Sequence, residues 1–320
     1  MKNIKVDFKY FWKMSNLSLS GPYKLIKHYF NQNNCDIVID TANPEIIFYS
    51  VHSYSWQNNK HYFPLDIINS NSIKVLFTRE NVYEHWYKNT FAQHLHNFDF
   101  VLGFEDNPEK KHYKIPYYIY VGKLYNTKSK IYSIIERNKV DNLYQKHKNI
   151  ALISRNPHKL RLNLINKFQK KNIMIDCPGA VGNNMKSIEN TFVGQENMDN
   201  NNLKELFLSS YFFNICPENS WTTGYTTEKL YHAMISGCVP IYWGCDMLDD
   251  GFYNKEKVFL INKNLSNVDS IVDDTIKLLN NPKELLNYVG MNPFGENRLE
   301  IINEQNVKIR NCFKQIIDGL

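Results

Sequence analysis

Short apolar runs alternate with longer amphipathic segments along this chain, and the alternation falls into two series. In the first, Ile4–Phe11, Cys35–Asp40, Ile46–Ser50, Lys74–Phe77 and Phe100–Phe104 have the length and composition of buried strands. Between them, Gly21–Asn31 sets Leu25, Ile26, Tyr29 and Phe30 at helical spacing. The second series opens with a strand at Asn149–Ser154. It continues with a helix at Arg161–Lys170 and a strand at Ile173–Asp176, then apolar segments at Leu203–Leu208, Tyr211–Cys216, Thr226–Ser236, Val239–Trp243 and Val258–Ile261. Asp269–Leu279, Pro282–Val289 and Arg298–Ile317 read as helices, and the polar stretch Tyr117–His147 as connecting helix and linker. Strands that alternate with helices predict βαβ units and parallel sheets. The expected fold is therefore α/β, with two Rossmann-like doubly wound domains facing each other across a cleft, ligands at the carboxyl ends of the strands, and a helical C-terminal tail.

The length allows this, since 320 residues with 43% hydrophobic content suffice for two cores. The expected boundaries are 1–147, 148–295 and a final helix at 296–320 that packs back on the first domain. The 21 Tyr and 19 Phe lie in a polar background whose mean hydropathy is -0.48, the composition of a soluble globular protein. No apolar run is long enough to span a membrane, and the first residues lack the features of a signal peptide. A cytoplasmic location is expected. Six scattered cysteines without a Cys-x-x-Cys pair read as reduced thiols. The net charge of +6 is diffuse, with acids and asparagines between the lysines, so no basic stripe for nucleic acid emerges. A mildly basic surface does suit a phosphate-bearing small substrate.

The most informative stretch runs from Tyr211 to Gly244 as strand, polar loop, helix and strand. Thr226 or Thr227 can cap the helix, Glu228 sits in its first turn, and Gly237 supplies the stop. Leu230, Ala233 and Met234 supply its buried face. A helix N-terminus at a cleft is a ready anion site, and Lys229 adds a point charge there. Glu228 can accept from a vicinal diol such as ribose, while Tyr225 and Asn219 can supply neutral donors or a stacking face. The same residues also read as an exposed first-turn ion pair beside a surface aromatic.

Glu218-Asn219, Gly224-Tyr225-Thr226-Thr227-Glu228-Lys229 and Val239-Pro240-Ile241-Tyr242-Trp243-Gly244 together resemble the donor-binding motif of the α-1,3-fucosyltransferases of glycosyltransferase family 10. That motif runs Glu-Asn, then Tyr-Val-Thr-Glu-Lys, then a Pro-x-x-x-Gly strand, and Thr226 stands here where the family usually has Val. Phe77-Thr78-Arg79-Glu80-Asn81 with Phe98–Phe104 resembles the acceptor-domain segment carrying the family's proposed catalytic glutamate, and Tyr113–Tyr118 the segment after it. Ser154-Arg155-Asn156-Pro157 with Arg161 is similar to its strand, loop and donor-phosphate arginine. The likeness covers roughly residues 74 to 262.

The resemblance implies a GT-B architecture with an acceptor-binding first domain and a donor-binding second domain. It implies transfer of fucose from GDP-fucose, with inversion, to an oligosaccharide or glycan hydroxyl, a GlcNAc-type acceptor being expected. Glu80 is then the candidate base, with a surface glutamate paired to Arg79 as the alternative. Arg161 and Lys229 would stabilise the departing diphosphate, with a solvated helix-face arginine as the alternative for Arg161. No Asp-x-Asp stands in a convincing context, so no metal or other cofactor is expected beyond the nucleotide sugar. His94, His96 and His112 read as acceptor-side or solvated polar residues. Trp12, Tyr54, Trp56 and Trp86 suit either sugar stacking or the core. The membrane stem, terminal cysteine pairs and heptad repeats of some members are missing, which suggests a compact form. Another GDP- or UDP-sugar donor, or a non-catalytic carbohydrate-binding relative, would fit the same motif.

Overall fold

The structure is a computed structural model that describes residues 1–11, 21–52, 54–55, 60–83, 87–121, 146–192 and 200–320. Residues 122–145 of the expected connecting stretch Tyr117–His147 and the tryptophans Trp12, Trp56 and Trp86 lie outside the described residues, as does the side chain of Tyr54. The chain divides into two compact units, Met1–Tyr125 with Glu300–Leu320, and Asn126–Leu299.

The first unit is built on six parallel strands, β1 (Lys2–Lys9), β2 (Cys35–Ile39), β3 (Ile46–Tyr49), β6 (Ile73–Phe77), β7 (Phe100–Gly103) and β8 (His112–Lys114). Two further two-residue strands, β4 (Tyr54–Ser55) and β5 (Lys60–His61), pair antiparallel with each other. The sheet order is β2-β1-β3-β6-β7-β8, so the winding reverses at β1, as in doubly wound folds. Successive side chains of a strand point to opposite faces, and β3 shows the result. Ile47 and Tyr49 enter one core with Leu76, Phe91 and Phe98. Phe48 faces the other way, where its ring lies 6.2 Å from Phe30 of α1 (Gly21–Gln32) and 6.5 Å from Phe313. Phe313 belongs to the last helix, Arg298–Asp318, which brings the chain end back onto this unit. Tyr29 stacks on Phe313 at 5.3 Å and donates to Asn306 at 2.7 Å, and Tyr113 donates to Gln315 at 2.6 Å.

The second unit holds four parallel strands in the order β12-β11-β10-β9: β9 (Lys148–Leu152), β10 (Tyr211–Ile215), β11 (Val239–Tyr242) and β12 (Phe259–Leu260). Alternation again divides the faces. Phe213 and Ile215 join Leu164 and Phe168 of the helix Lys159–Lys170 in the main core, with Val268 and Val272 of the helix Val268–Leu279. Asn214 and Cys216 take the opposite face, beside Leu208 and His232. Among the described residues the helices after α1 are, in chain order, α2 (Asp66–Asn69), α3 (Tyr117–Val121), α4 (Lys159–Lys170), α5 (Ile188–Thr191), α6 (Asn200–Leu208), α7 (Glu228–Ile235), α8 (Val268–Leu279), α9 (Pro282–Val289) and α10 (Arg298–Asp318). All six cysteines are buried free thiols.

Two local expectations change. The strand expected at Ile173–Asp176 is reduced to a single bridge between Asp176 and Ala151. Pro178 follows almost at once and has no N–H with which to extend a ladder. Conversely, the three-residue strand β8 adds an edge that a segment of such length does not announce.

Candidate active site

A cavity of about 710 Å³ opens in the second unit beyond the carboxyl ends of β9 and β10. Its walls include Ser154 and Arg155 after β9, Pro217 and Asn219 after β10, Arg161 of α4, Lys204 of α6, and Glu228, Lys229 and His232 of α7. This is where ligands bind in open parallel sheets, because loops and helix N-termini meet there. Cationic Arg155, Arg161, Lys204 and Lys229 line it against the carboxylates of Glu189 and Glu228. The excess of positive charge favours an anionic guest.

The first turn of α7 shows how this charge is arranged. Thr227 occupies the N-cap position with extended backbone but makes no side-chain cap, which alters the capping role expected for Thr226 or Thr227. Its hydroxyl donates instead to the carboxylate of Glu218 at 2.6 Å, and its N–H donates to the same carboxylate at 2.8 Å. Thr227 thus gives the first turn no cap, the Glu228 carboxylate accepts from its own N–H, and the positive end of the helix dipole lies at this end beside the cavity-lining Glu228 and Lys229. Gly237, at φ 74°, ends the helix in the left-handed conformation that a Cβ disfavours. Leu230, Ala233 and Met234 are all fully buried behind it.

Lys229 stands between two carboxylates, with Nζ 3.0 Å from Glu218 and 3.1 Å from half-buried Glu228. Burial alone would push the Glu228 carboxyl up, but the ammonium of Lys229 outweighs it and holds that group well below the usual carboxylate range. Burial likewise opposes the charge on Lys229, and Glu218 with Glu228 holds the ammonium well above its ordinary value. Glu218 is fully buried, and desolvation pushes its carboxyl up despite Lys229 and Thr227.

Arg161 is 2% exposed, which removes the reading of a solvated helix-face residue. Its Nη1 donates to the carbonyl of Asn156 at 2.8 Å. Its Nη2 donates to the carbonyls of Pro217 and Glu218 at 2.7 and 3.2 Å and to Oδ1 of Asn219 at 3.0 Å. The guanidinium therefore braces the loop after β10 as well as lining the cavity.

The structure brings Arg161, Asn219, Glu228 and Lys229 onto one cavity wall. Tyr225 is not among the lining residues; it is 2% exposed, and its carbonyl accepts from Tyr242 at 3.3 Å. Glu80 belongs to the first unit, half-buried just past the carboxyl end of β6. There the Thr78 hydroxyl accepts from the Glu80 N–H at 3.0 Å and fixes the turn. Arg79 lies over the ring of Tyr120 at 4.1 Å. His94 and His96 fall in a 3₁₀ turn, and buried His112 lies 3.1 Å from Glu105. Among the described residues, no group of three or more His, Cys, Asp or Glu is arranged to hold a metal ion, and no helix is long and apolar enough to cross a membrane. Sequence reasoning left Arg155 and Lys204 without roles on the wall and Glu218 without a role behind it. The apolar run ending at Cys216-Pro217 was the available signal that the next acid would be buried.

Two α/β units, each built on a parallel sheet and one with an anion-suited cavity at its strand ends, match the GT-B fold of solved glycosyltransferases. Solved structures share this fold. A crystal structure of an α1,3-fucosyltransferase superposes with a TM-score of 0.66 at 16% identity, over 98% of this chain and 90% of that one. The same kind of enzyme with GDP-fucose gives 0.61 at 18% identity, over 99% and 91%. Anabaena HepE in complex with UDP and glucose gives 0.52 at 10% identity, over 99% and 100%.

The family model described as glycosyltransferase family 10 (fucosyltransferase), C-terminal part, matches residues 143–311, more than half of the chain, and the chain belongs to this family. The α-(1,3)-fucosyltransferase FucT of Helicobacter pylori is 33% identical over 119 residues, 36% of this chain and 24% of its own length. The α-(1,3)-fucosyltransferase B of Drosophila melanogaster is 35% identical over 77 residues, 24% of this chain and 17% of its own. The matches thus span under a quarter of either relative.

Proposed function

We propose that the chain transfers fucose from GDP-fucose to a hydroxyl of a carbohydrate acceptor, with inversion at the anomeric carbon and a GlcNAc-type acceptor in α-1,3 linkage. Family membership supports the reaction class, and the single observation that carries the donor site is the start of α7, left without a cap by Thr227, with Lys229 and Arg161 lining the same cavity. A cavity of about 710 Å³ lies within the range of small-molecule sites. The diphosphate would lie against the first-turn N–H groups and the two cations. Half-exposed Glu228 would accept from the ribose hydroxyls, with Asn219 as a neutral partner beside the phosphates.

In the step itself, the acceptor oxygen forms a bond to the anomeric carbon as that carbon's bond to the β-phosphate oxygen breaks. GDP leaves with the electron pair, and the hydroxyl proton passes to the carboxylate of Glu80. The Thr78–Glu80 turn fixes the backbone that carries this side chain at the strand end. Arg161, Lys229 and the helix terminus receive the charge that develops on GDP.

Thermal-shift and calorimetric titrations with GDP, UDP and CDP test the donor site, and turnover of GDP-fucose on N-acetylglucosamine-terminated acceptors tests the transfer. GDP alone should raise the melting temperature. Stabilisation by UDP alone would reassign the donor, and no response to any of the three would overturn the nucleotide reading.

A further inference from the structure

Behind the cavity wall lies a carboxylate that the ligand chemistry above does not use. Glu218 follows β10, has 0% exposure and does not line the cavity. A carboxylate buried this completely loses its hydration and requires donors placed around it. Four are present. The Thr227 N–H reaches Oε1 at 2.8 Å and the Tyr242 hydroxyl at 3.4 Å, while the Thr227 hydroxyl reaches Oε2 at 2.6 Å and Lys229 Nζ at 3.0 Å. Nor is there room for a bulkier neighbour, since a Cβ at Gly244 would stand 2.4 Å from Glu218 Cγ.

These contacts converge on the start of α7. By taking the Thr227 hydroxyl, Glu218 draws it away from the first-turn N–H groups, which Thr227 therefore does not cap. By holding Lys229 Nζ opposite Glu228, it fixes an otherwise flexible ammonium at the wall. Its own carbonyl also accepts from Arg161 at 3.2 Å. One residue thus touches both cations of the diphosphate site without reaching the cavity.

We propose that Glu218 is a positioning residue of the donor site, which holds the first turn of α7 and the Lys229 ammonium in the arrangement that receives the diphosphate. This rests on the nucleotide reading of the cavity. The sign of its effect is diagnostic. A negative charge behind an anion site repels the ligand, so neutralising it should tighten binding unless the order it imposes outweighs the repulsion. Positioning therefore predicts the opposite of simple electrostatics.

The test is calorimetric titration of GDP into the wild-type protein, Glu218→Gln, Lys229→Met and the double variant, with ³¹P spectra of bound GDP. Glu218→Gln keeps the shape of the side chain and removes its charge. We expect its GDP dissociation constant to rise tenfold or more, with displaced phosphate resonances. In the Lys229→Met background the same change should add less than threefold, because the group it positions is gone. Unchanged or tighter binding by Glu218→Gln, unmoved resonances, or full additivity in the double variant would overturn the proposal while wild-type GDP binding leaves the nucleotide reading standing. A wild-type protein that binds no nucleotide overturns both. If Glu218→Gln does not fold, Thr227→Val removes one of its donors and should weaken GDP binding severalfold; unchanged affinity in that variant would overturn the proposal equally.

Discussion

Arg161 Nη2 donates to the side-chain oxygen of Asn219 at 3.0 Å, so one guanidinium ties α4 to the loop that follows β10. The same group serves the carbonyls of Asn156, Pro217 and Glu218. Bracing of this loop and, on the proposed reading, nucleotide binding therefore fall to one residue. Arg161→Ala should lower both stability and nucleotide affinity, since each buried acceptor left unsatisfied costs roughly 1–3 kcal/mol. Denaturant unfolding and GDP titration of the same preparation check this, and a variant of wild-type stability would show that the bracing is unimportant.

Glu80→Gln should separate chemistry from binding. The amide keeps the shape of the side chain and cannot take up the acceptor proton, so transfer from GDP-fucose should fall by at least about a hundredfold, the lower end for a lost general base. GDP affinity should stay within twofold of wild type. Turnover near the wild-type rate would remove Glu80 from the role of base.

Lys257 supplies a pH dependence that is independent of the active site. It is fully buried, donates to the carbonyls of Val289 and Met291 at 2.5 and 2.9 Å, and has its pKa pushed down to about 7 by burial and by neighbouring Lys146. Between that value and the ordinary 10.5, the unfolded chain keeps a proton that the native protein gives up. The unfolded state then binds more protons, so this group's contribution to stability grows as pH rises through the window and is lost as pH falls through about 7. Urea unfolding at pH 7 and pH 9 should show a smaller rise in stability for Lys257→Met than for wild type. Equal rises in the two proteins would refute the assignment.

Phe313→Ala should loosen the first unit from the end of the chain. Its ring packs against Tyr29, Phe30 and Phe48 and is fully buried. Truncation of such an aromatic typically costs about 3–5 kcal/mol. The melting temperature should fall by several degrees, and limited proteolysis should cut first within the last helix. Unchanged melting would mean that α10 contributes little to this core.

Much of the fold was legible because period and composition are local properties. The runs at Ile46–Ser50 and Tyr211–Cys216 became central strands, and the tail helices appeared close to their expected limits. Ile173–Asp176 failed because a strand needs a partner along its length, and apolar character does not show whether the chain stays beside that partner. Within the donor stretch, the helix from Glu228, its stop at Gly237 and its buried face could be read directly, because all are set within about ten residues.

The order of residues alone dictated two wound α/β units, the amphipathic helices and a family motif around Glu228-Lys229, since each depends on neighbours in the chain. Folding decided the rest. It buried Arg161 among carbonyls more than fifty positions away. It placed Tyr225 off the cavity wall, and it turned Glu218 from a motif letter into the carboxylate between Thr227 and Lys229. Burial and charge pairing are properties of the space around a side chain. That space exists only once β10, β11 and α7 have come together.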